Sequence, residues 1–439
     1  MLLISPPAFQ IPAPTLPPSA QAMSAAPIPM SLPEALSRAR AENPMIRVAK
    51  AKVDERRGLI TTTRADALPQ VSLVADFTRV RDVSILNSGF ADSAAMFGIS
   101  PDSLVGARSV YGTQAFVQQP LFYWGKLGTA VEIAKMGERE AALGYTSTEL
   151  DVLHGVANAY LNVLAAQAEL EVIETRRSTA ERFLSDVTAK VESQMATELD
   201  RLRAESELLA VIPEALQADA QVKLAIEILN GQLGLDPKTA LVLAELGLPE
   251  AAAKPAGTER SELAQLKQQE AMYKANEKII RSDLRPKFDL TGTYGYQAGS
   301  TDNLFKEPYD TWRVNVTMRF PIFDGLRSSG KRAQNSAQLE QVRQVRIDKE
   351  RSVAIEQSKA DRDVVKAVAL NEAATKAHDA NLEALRMSRD AFDQGLITSL
   401  DLLIMERAER QAESNRRRAE LNLWAARFYQ RRSLGLPPL

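Results

Sequence analysis

Between Trp312 and Phe320 every second residue is apolar: Trp312, Val314, Val316, Met318 and Phe320. The residues between them, Arg313, Asn315, Thr317 and Arg319, are polar. Period two predicts a strand with one apolar and one wet face. Pro321 cannot donate to a ladder, so the strand should end there. From Arg327 the spacing becomes helical and stays so to about Gln394. Gly395 interrupts it, helix resumes near Ser399, and Gly435 stands where a C-cap belongs. A short alternating strand that hands over to so long a helix is unusual in a soluble domain.

The same plan precedes it. Ser31 to Arg40 predicts a helix with Ser31 as N-cap, Pro33 in the first turn and Glu34 at N3. Asn43-Pro44 breaks it, and helix resumes from Met45 to about Asp66. A strand follows over about 70–80, with Val71, Leu73, Ala75 and Phe77 alternating with Ser72, Asp76 and Thr78. Residues 81–109 are Gly/Ser/Asp-rich and predict a long loop. Tyr111 to Gln119 is a second strand, within about 110–120, that Pro120 should end.

From Lys126 helix runs to about Ser193, with a coiled-coil seam at Leu153, Val156, Tyr160, Val163, Gln167 and Leu170. At ~1.5 Å per residue, such a helix is on the order of 100 Å long. After Met195-Ala196 helix continues to Gln232, with Gly234 as its cap and Pro213 expected to kink it. Later come a helix over Glu262–Ser282 and a strand over about 287–297. That strand sets Phe288, Leu290, Tyr294 and Tyr296 against Asp289, Thr291, Thr293 and Gln297. The opening strand, about 311–321, is the fourth.

The two halves are copies. Pro120-Leu-Phe maps onto Pro321-Ile-Phe at an offset of 201 residues. The same offset carries Thr197-Glu-Leu-Asp200 onto Thr398-Ser-Leu-Asp401, and Leu233-Gly-Leu235 onto Leu434-Gly-Leu436. Three landmarks in one register indicate a duplication. The expected organisation is a Pro-rich segment over 1–30, a first repeat over 31–236, a linker over 237–260 and a second repeat over 261–436. In the first segment Ala20-Gln21-Ala22 matches a signal-peptide cleavage pattern, which predicts a secretory leader; a disordered extension is the alternative.

Composition narrows the class. Basic and acidic residues number 54 and 56, and no Lys/Arg block argues for nucleic acid. Cysteine is absent, which excludes disulfides and thiolate metal sites. No run of 18 apolar residues occurs, so a membrane could be crossed only as a closed barrel. Four strands cannot close one, and open edges are not tolerated in lipid. Closure therefore needs several copies, and three give twelve strands.

Catalytic chemistry finds little support. Asp151 and His154 have the i, i+3 spacing of di-iron bundles, but Thr375 precedes His378 at the matching place. An ordinary surface histidine is the expectation for His154, with no metal, no cofactor and no enzymatic activity. No Gly-rich phosphate loop follows a strand into a helix. Phe122, Tyr123, Trp124, Phe320 and Phe323 sit at strand ends, where membrane barrels place aromatics. For Phe122 and Phe323 a packed joint between strands and helices is the equal alternative.

Several motifs together resemble the TolC-type outer-membrane efflux family, the outer membrane factors of tripartite efflux or type I secretion systems. They are Pro120-Leu-Phe, Pro321-Ile-Phe-Asp-Gly, the turn Gly395-Leu-Ile-Thr-Ser-Leu-Asp-Leu-Leu, and the opening Ser31-Leu-Pro-Glu-Ala-Leu with Asn43-Pro44. The resemblance covers residues 31–436. It implies a mainly α fold with transmembrane β: a two-repeat protomer of long coiled-coil helices plus four strands. Three protomers would form a 12-stranded β-barrel in the bacterial outer membrane and a helical tunnel through the periplasm. The implied partners are a periplasmic adaptor (membrane fusion) protein, an inner-membrane transporter of RND, MFS or ABC type, and outer-membrane lipid.

By motif, the entrance gate would use Asp401, Asp200 and Glu198. The adaptor-docking tips would be Gly395, Leu396, Thr398, Met195 and Thr197. The barrel-tunnel joint would be Pro120, Phe122, Pro321, Phe323 and Gly325. The family often has a second acid one turn after Asp401, where this chain has Ile404. Asp401 is equally an N-cap-region residue of the returning helix. The function so implied is a passive exit duct. The alternative is a soluble or membrane-surface coiled-coil scaffold without a pore, which leaves the alternating strands unexplained.

Overall fold

A computed structural model of the chain describes residues 28–81, 93, 96–98, 107–195, 197–247, 259–394, 396–397 and 399–439. The described chain forms β1 (Ile28–Met30), α1 (Leu32–Glu42), α2 (Pro44–Ala65), β2 (Gln70–Arg81), β3 (Ala107–Phe122), α3 (Lys126–Glu192) and α4 (Glu198–Leu233). It continues as β4 (Leu241–Leu243), α5 (Ser261–Ser282), β5 (Lys287–Ala298), β6 (Asp310–Arg319), α6 (Arg327–Asp393) and α7 (Ser399–Ser433). Two compact units result. Their described parts are residues 28–35 with 162–247, and residues 36–161 with 259–439.

In the first unit α4 packs along the later part of α3. Ile173, Ala180 and Val187 are buried seven residues apart, as are Ala204, Val211 and Ala218. A seven-residue repeat holds one seam on a supercoiled pair. Arg176 pairs with Glu214 at 2.6 Å across it. α4 continues through Pro213 and ends at Gly234, whose φ of 70° suits a residue without Cβ. Strands β1 and β4 pair in parallel, Ile28 to Leu241 and Met30 to Leu243. Part of the expected leader and part of the expected linker are thus strands. Asn230 is fully buried because its amide donates to the carbonyls of Pro237 and Thr239, at 3.0 and 2.8 Å.

The second unit holds an antiparallel sheet of order β2-β3-β5-β6, two strands from each repeat. β3 continues through Pro120 to Phe122, although Pro120 was expected to end it. Its pairing with β2 stops at Gln118, so Pro120 has a strand on one side only. A register shift between Pro120 and Phe122 absorbs the missing donor. α6 and α7 pack as a coiled coil, with Val353, Ala360, Ala367, Ala412, Leu423 and Phe428 buried. Ser31 donates its N–H and hydroxyl to Glu34 at the start of α1, at 2.9 and 2.7 Å, as its capping pattern predicts.

The duplication extends to backbone geometry. Leu235 N–H bonds Asn230 O at 2.9 Å after α4, and Leu436 N–H bonds Arg431 O at 2.9 Å after α7. Met195 N–H reaches Lys190 O at 2.7 Å, and Leu396 N–H reaches Ala391 O at 2.9 Å. Both pairs keep the 201-residue offset, and both are the 6→1 bonds of a Schellman ending.

Candidate functional site

The sheet's two faces are set by its register. Opposed residues of an antiparallel pair share a face. One row joins Leu73, Ala115, Tyr294 and Trp312, and the next joins Val71, Val117, Gly292 and Val314. Leu290 with Val316, and Phe288 with Met318, continue the same face. The opposite face carries Ser72, Asp76, Gln114, Gln118, Thr291, Thr293, Arg313, Asn315 and Thr317. The alternation legible in β2, β5 and β6 is therefore one apolar surface across the sheet, with Val74 and Phe116 among the apolar exceptions on the opposite face.

That apolar surface is uncovered within the chain. Leu73 is 74% exposed and Trp312 73% exposed, and Val71, Val314, Val316 and Met318 are exposed beside them. Aromatics border it at both ends. Phe77 meets Tyr111 at 4.9 Å, and Tyr296 meets Tyr294 and Phe305 at 6.5 and 5.6 Å. At the helix end lie Phe122, Phe288 and Phe320. Phe288 and Tyr296 are eight residues apart, about 27 Å along β5 at ~3.4 Å per residue. Membrane barrels carry an apolar band about 25 Å tall between aromatic girdles. The outer edges of β2 and β6 have no strand partner among the described residues.

The joints between strands and long helices are built alike. Trp124 and Gly125 have φ of 54° and 76°, and Gly325 and Leu326 have 66° each. These pairs are again 201 residues apart, but each repeat puts its glycine at a different place in the pair. Two successive residues of positive φ carry the chain from strand into helix. Asp324 then accepts from Ser328 N–H at 2.9 Å, capping α6. Phe122 is half exposed and meets Trp124 edge-on at 5.0 Å, whereas Phe323 is 78% exposed. Pro321 follows β6 and Phe320, as expected.

Sequence reasoning missed the residue that ties this joint together. Asp283, the C-cap of α5, binds Lys126 at the start of α3 at 2.6 Å. It also binds Lys331 in α6 at 3.1 Å and Lys287 of β5 at 3.5 Å. Burial alone would raise the Asp283 pKa, but hydrogen bonds and charge from Lys126 and Lys331 outweigh it and bring it down to about 2. No local pattern in the sequence links positions 126, 283 and 331.

The turn between α3 and α4 places four predicted residues. Gln194 takes the left-handed position, φ 62°, that the second repeat's sequence fills with Gly395. Met195 is 79% exposed. Thr197 caps α4: its hydroxyl accepts from Asp200 N–H at 3.3 Å, and its own N–H donates to the Asp200 carboxylate at 3.1 Å. The bonds from Thr197 hold Asp200 below the usual carboxylate range. Arg201, bonded to Glu198 at 2.8 Å, does the same for Glu198. Both acids are thus engaged in their own helix turn.

At the other turn, Leu396 is 72% exposed and Asp401 lies in the first turn of α7, also exposed. Gly395 and Thr398 lie outside the described residues, as do the 81–109 loop over 82–92, 94–95 and 99–106, and the Pro-rich segment over 1–27. Ile404 is exposed, and Glu406 faces Arg389 across the hairpin at 3.4 Å.

His154 is not a surface histidine. It is 2% exposed, and its Nε2 lies 2.7 Å from Leu436 O. Burial pushes its pKa down to about 4. Asp151, its supposed co-ligand, pairs with Arg432 at 2.9 Å instead. The signal was a second stripe, His154, Ala157 and Leu161, buried beside the predicted seam at Leu153, Val156, Tyr160 and Val163. A helix apolar on two stripes is covered on two sides.

Known proteins share this architecture. A family described as "Outer membrane efflux protein" matches residues 35–235 and 254–435. TolC of Vibrio cholerae is 22% identical over 306 residues, which cover 67% of this chain and 65% of TolC. The pyoverdine export outer membrane protein OpmQ of Pseudomonas putida is 24% identical over 408 residues, 88% of this chain and 82% of OpmQ. Among solved structures, the outer membrane protein VceC from Vibrio cholerae superposes with a TM-score of 0.74 at 18% identity. That match covers 93% of this chain and 97% of VceC.

Proposed function

The chain belongs to the outer membrane efflux protein family, and from that premise we propose that it is a passive exit duct. Substrate leaves an inner-membrane pump, passes a periplasmic adaptor, and crosses the periplasm and outer membrane through this protein. The observation that carries the reading is the four-stranded sheet with one uncovered apolar face between two aromatic borders. A single sheet of four strands leaves two open edges, at β2 and β6. Open edges in hydrocarbon cost several kcal/mol per unsatisfied group, on the order of 2–7 each. Edge-to-edge assembly of three copies closes twelve strands and leaves none. The polar face, with Arg313, Asn315 and Thr317, then lines the lumen.

The helices supply the tunnel, and their turns the docking and gating elements. Met195 and Leu396 are exposed apolar residues on Schellman turns, suited to insertion into an adaptor's apolar pocket, with Thr197 beside the first turn; by motif, Gly395 and Thr398 belong to the second docking tip. Asp401 is the gate acid of this reading. Asp200 and Glu198, held by Thr197 and Arg201, are its counterparts at the first turn. The chain performs no chemistry; the pump provides the energy.

The test is reconstitution of the purified protein in planar lipid bilayers. Discrete, long-lived conductance steps support the duct. Bilayers that stay silent at protein concentrations giving stable membrane insertion contradict it.

A further inference from the structure

Trp124 occupies a left-handed position, φ 54°, whose counterpart in the second repeat is Gly325. A bulky residue there is strained, whereas glycine is not. The second repeat carries its non-glycine residue one position later, at Leu326, so a large side chain at this first position belongs to the first repeat alone. The indole is 41% exposed but held by three contacts. Its Nε1–H donates to Pro286 O at 2.6 Å. Phe122 meets it edge-on at 5.0 Å, and the Arg285 guanidinium lies over its ring at 4.9 Å.

Arg285 is exposed and meets no carboxylate among the described residues. The nearest acid in sequence, Asp283, is taken by Lys126, Lys331 and Lys287. A guanidinium with one face on an aromatic ring keeps its N–H fork free, and that fork matches a phosphate in a bidentate way. The site also sits at a boundary. Phe122 opposes Phe288, and Phe288 opposes Met318, so the Trp124–Phe122 stack continues the helix-end border of the apolar face. Leu121 beside Phe122 in sequence, Leu284 beside Arg285, and Phe320 and Ile322 after β6 are exposed as well.

We propose that Arg285 and Trp124 form a binding site for the phosphate of an anionic phospholipid headgroup, in the leaflet on the helix side of the sheet. The inference rests on the duct reading, because it needs the apolar face to lie in a bilayer. Acyl chains lie against the uncovered face, and the headgroup reaches the guanidinium. Trp124 is a positioning residue that fixes the height and direction of Arg285. A site of this kind sets the depth of the wall in the membrane at the joint where wall becomes tunnel.

The chain has three tryptophans, Trp124, Trp312 and Trp424, so single-tryptophan proteins can report on each place. The full chain carrying W312F and W424F is placed in nanodiscs of phosphatidylcholine with increasing phosphatidylglycerol. Trp124 emission should shift and saturate. Arg285→Gln should raise the phosphatidylglycerol fraction at half response about fivefold, the worth of one basic residue at a charged surface. Equal responses with and without Arg285 overturn the site. The same shift on adding inorganic phosphate to phosphatidylcholine discs overturns the lipid assignment. A companion protein with W124F and W424F keeps Trp312. Bromination of the acyl chains should quench Trp312; its absence sinks the duct reading, whereas quenched Trp312 with a Trp124 indifferent to phosphatidylglycerol sinks the lipid site alone.

Discussion

Asp283→Asn removes the carboxylate that three lysines share at the joint. Asp283 is 17% exposed, and its pKa falls from 3.8 to about 2. At ~1.4 kcal/mol per unit, that shift corresponds to about 2.5 kcal/mol of folded-state stabilisation. The sign follows from the depressed folded pKa. The stabilisation is complete above the unfolded pKa near 3.8 and disappears as pH falls through about 2. Asparagine also leaves Lys126, Lys287 and Lys331 facing one another without an anion. Hydrogen exchange of peptides spanning the starts of α3 and α6 is the assay. At neutral pH the variant should exchange up to about 50-fold faster there, and variant and parent should converge toward pH 2. Equal protection at neutral pH, or a gap that persists at pH 2, would refute the assignment of Asp283 as the tie.

Thr197→Ala should increase exchange in the first turn of α4 about fivefold, since it removes the hydroxyl of the capping box; Thr197→Ser should restore protection. Asp401→Ala should change single-channel conductance or its dependence on divalent cations in planar bilayers. Unaltered behaviour assigns Asp401 to the helix start alone. Leu396→Asp should abolish cross-linking to the adaptor in intact cells while leaving the bilayer conductance in place, because its side chain stands clear of the packed hairpin.

The strands and the duplication were legible because each rests on a local pattern: period two in β2, β5 and β6, and landmarks at one offset of 201 residues. The faces followed, since register only had to align alternations already present. Three features depend on contacts or backbone states that local pattern does not encode. β1 and β4 have three residues each, too few for a period to show. The left-handed Trp124 and Leu326 contradict residue preference, and only the neighbouring Gly125 and Gly325 hinted at the turn. Asp283 joins residues far apart in sequence. His154 lies with Ala157 and Leu161 on a second buried stripe of α3, outside the single seam that the apolar spacing predicts. For the turns, sequence named Thr197 and Asp200 as functional, and the structure gives them a capping role first.

The tie between four strands and a pore is the number of copies. The mass of the detergent-solubilised assembly, corrected for bound detergent, measures it directly. Three chains of 48.2 kDa give about 145 kDa, which the account predicts together with twelve strands in one closed wall. A 48.2 kDa monomer that keeps its strands without detergent, or a dimer able to close only eight, would contradict it.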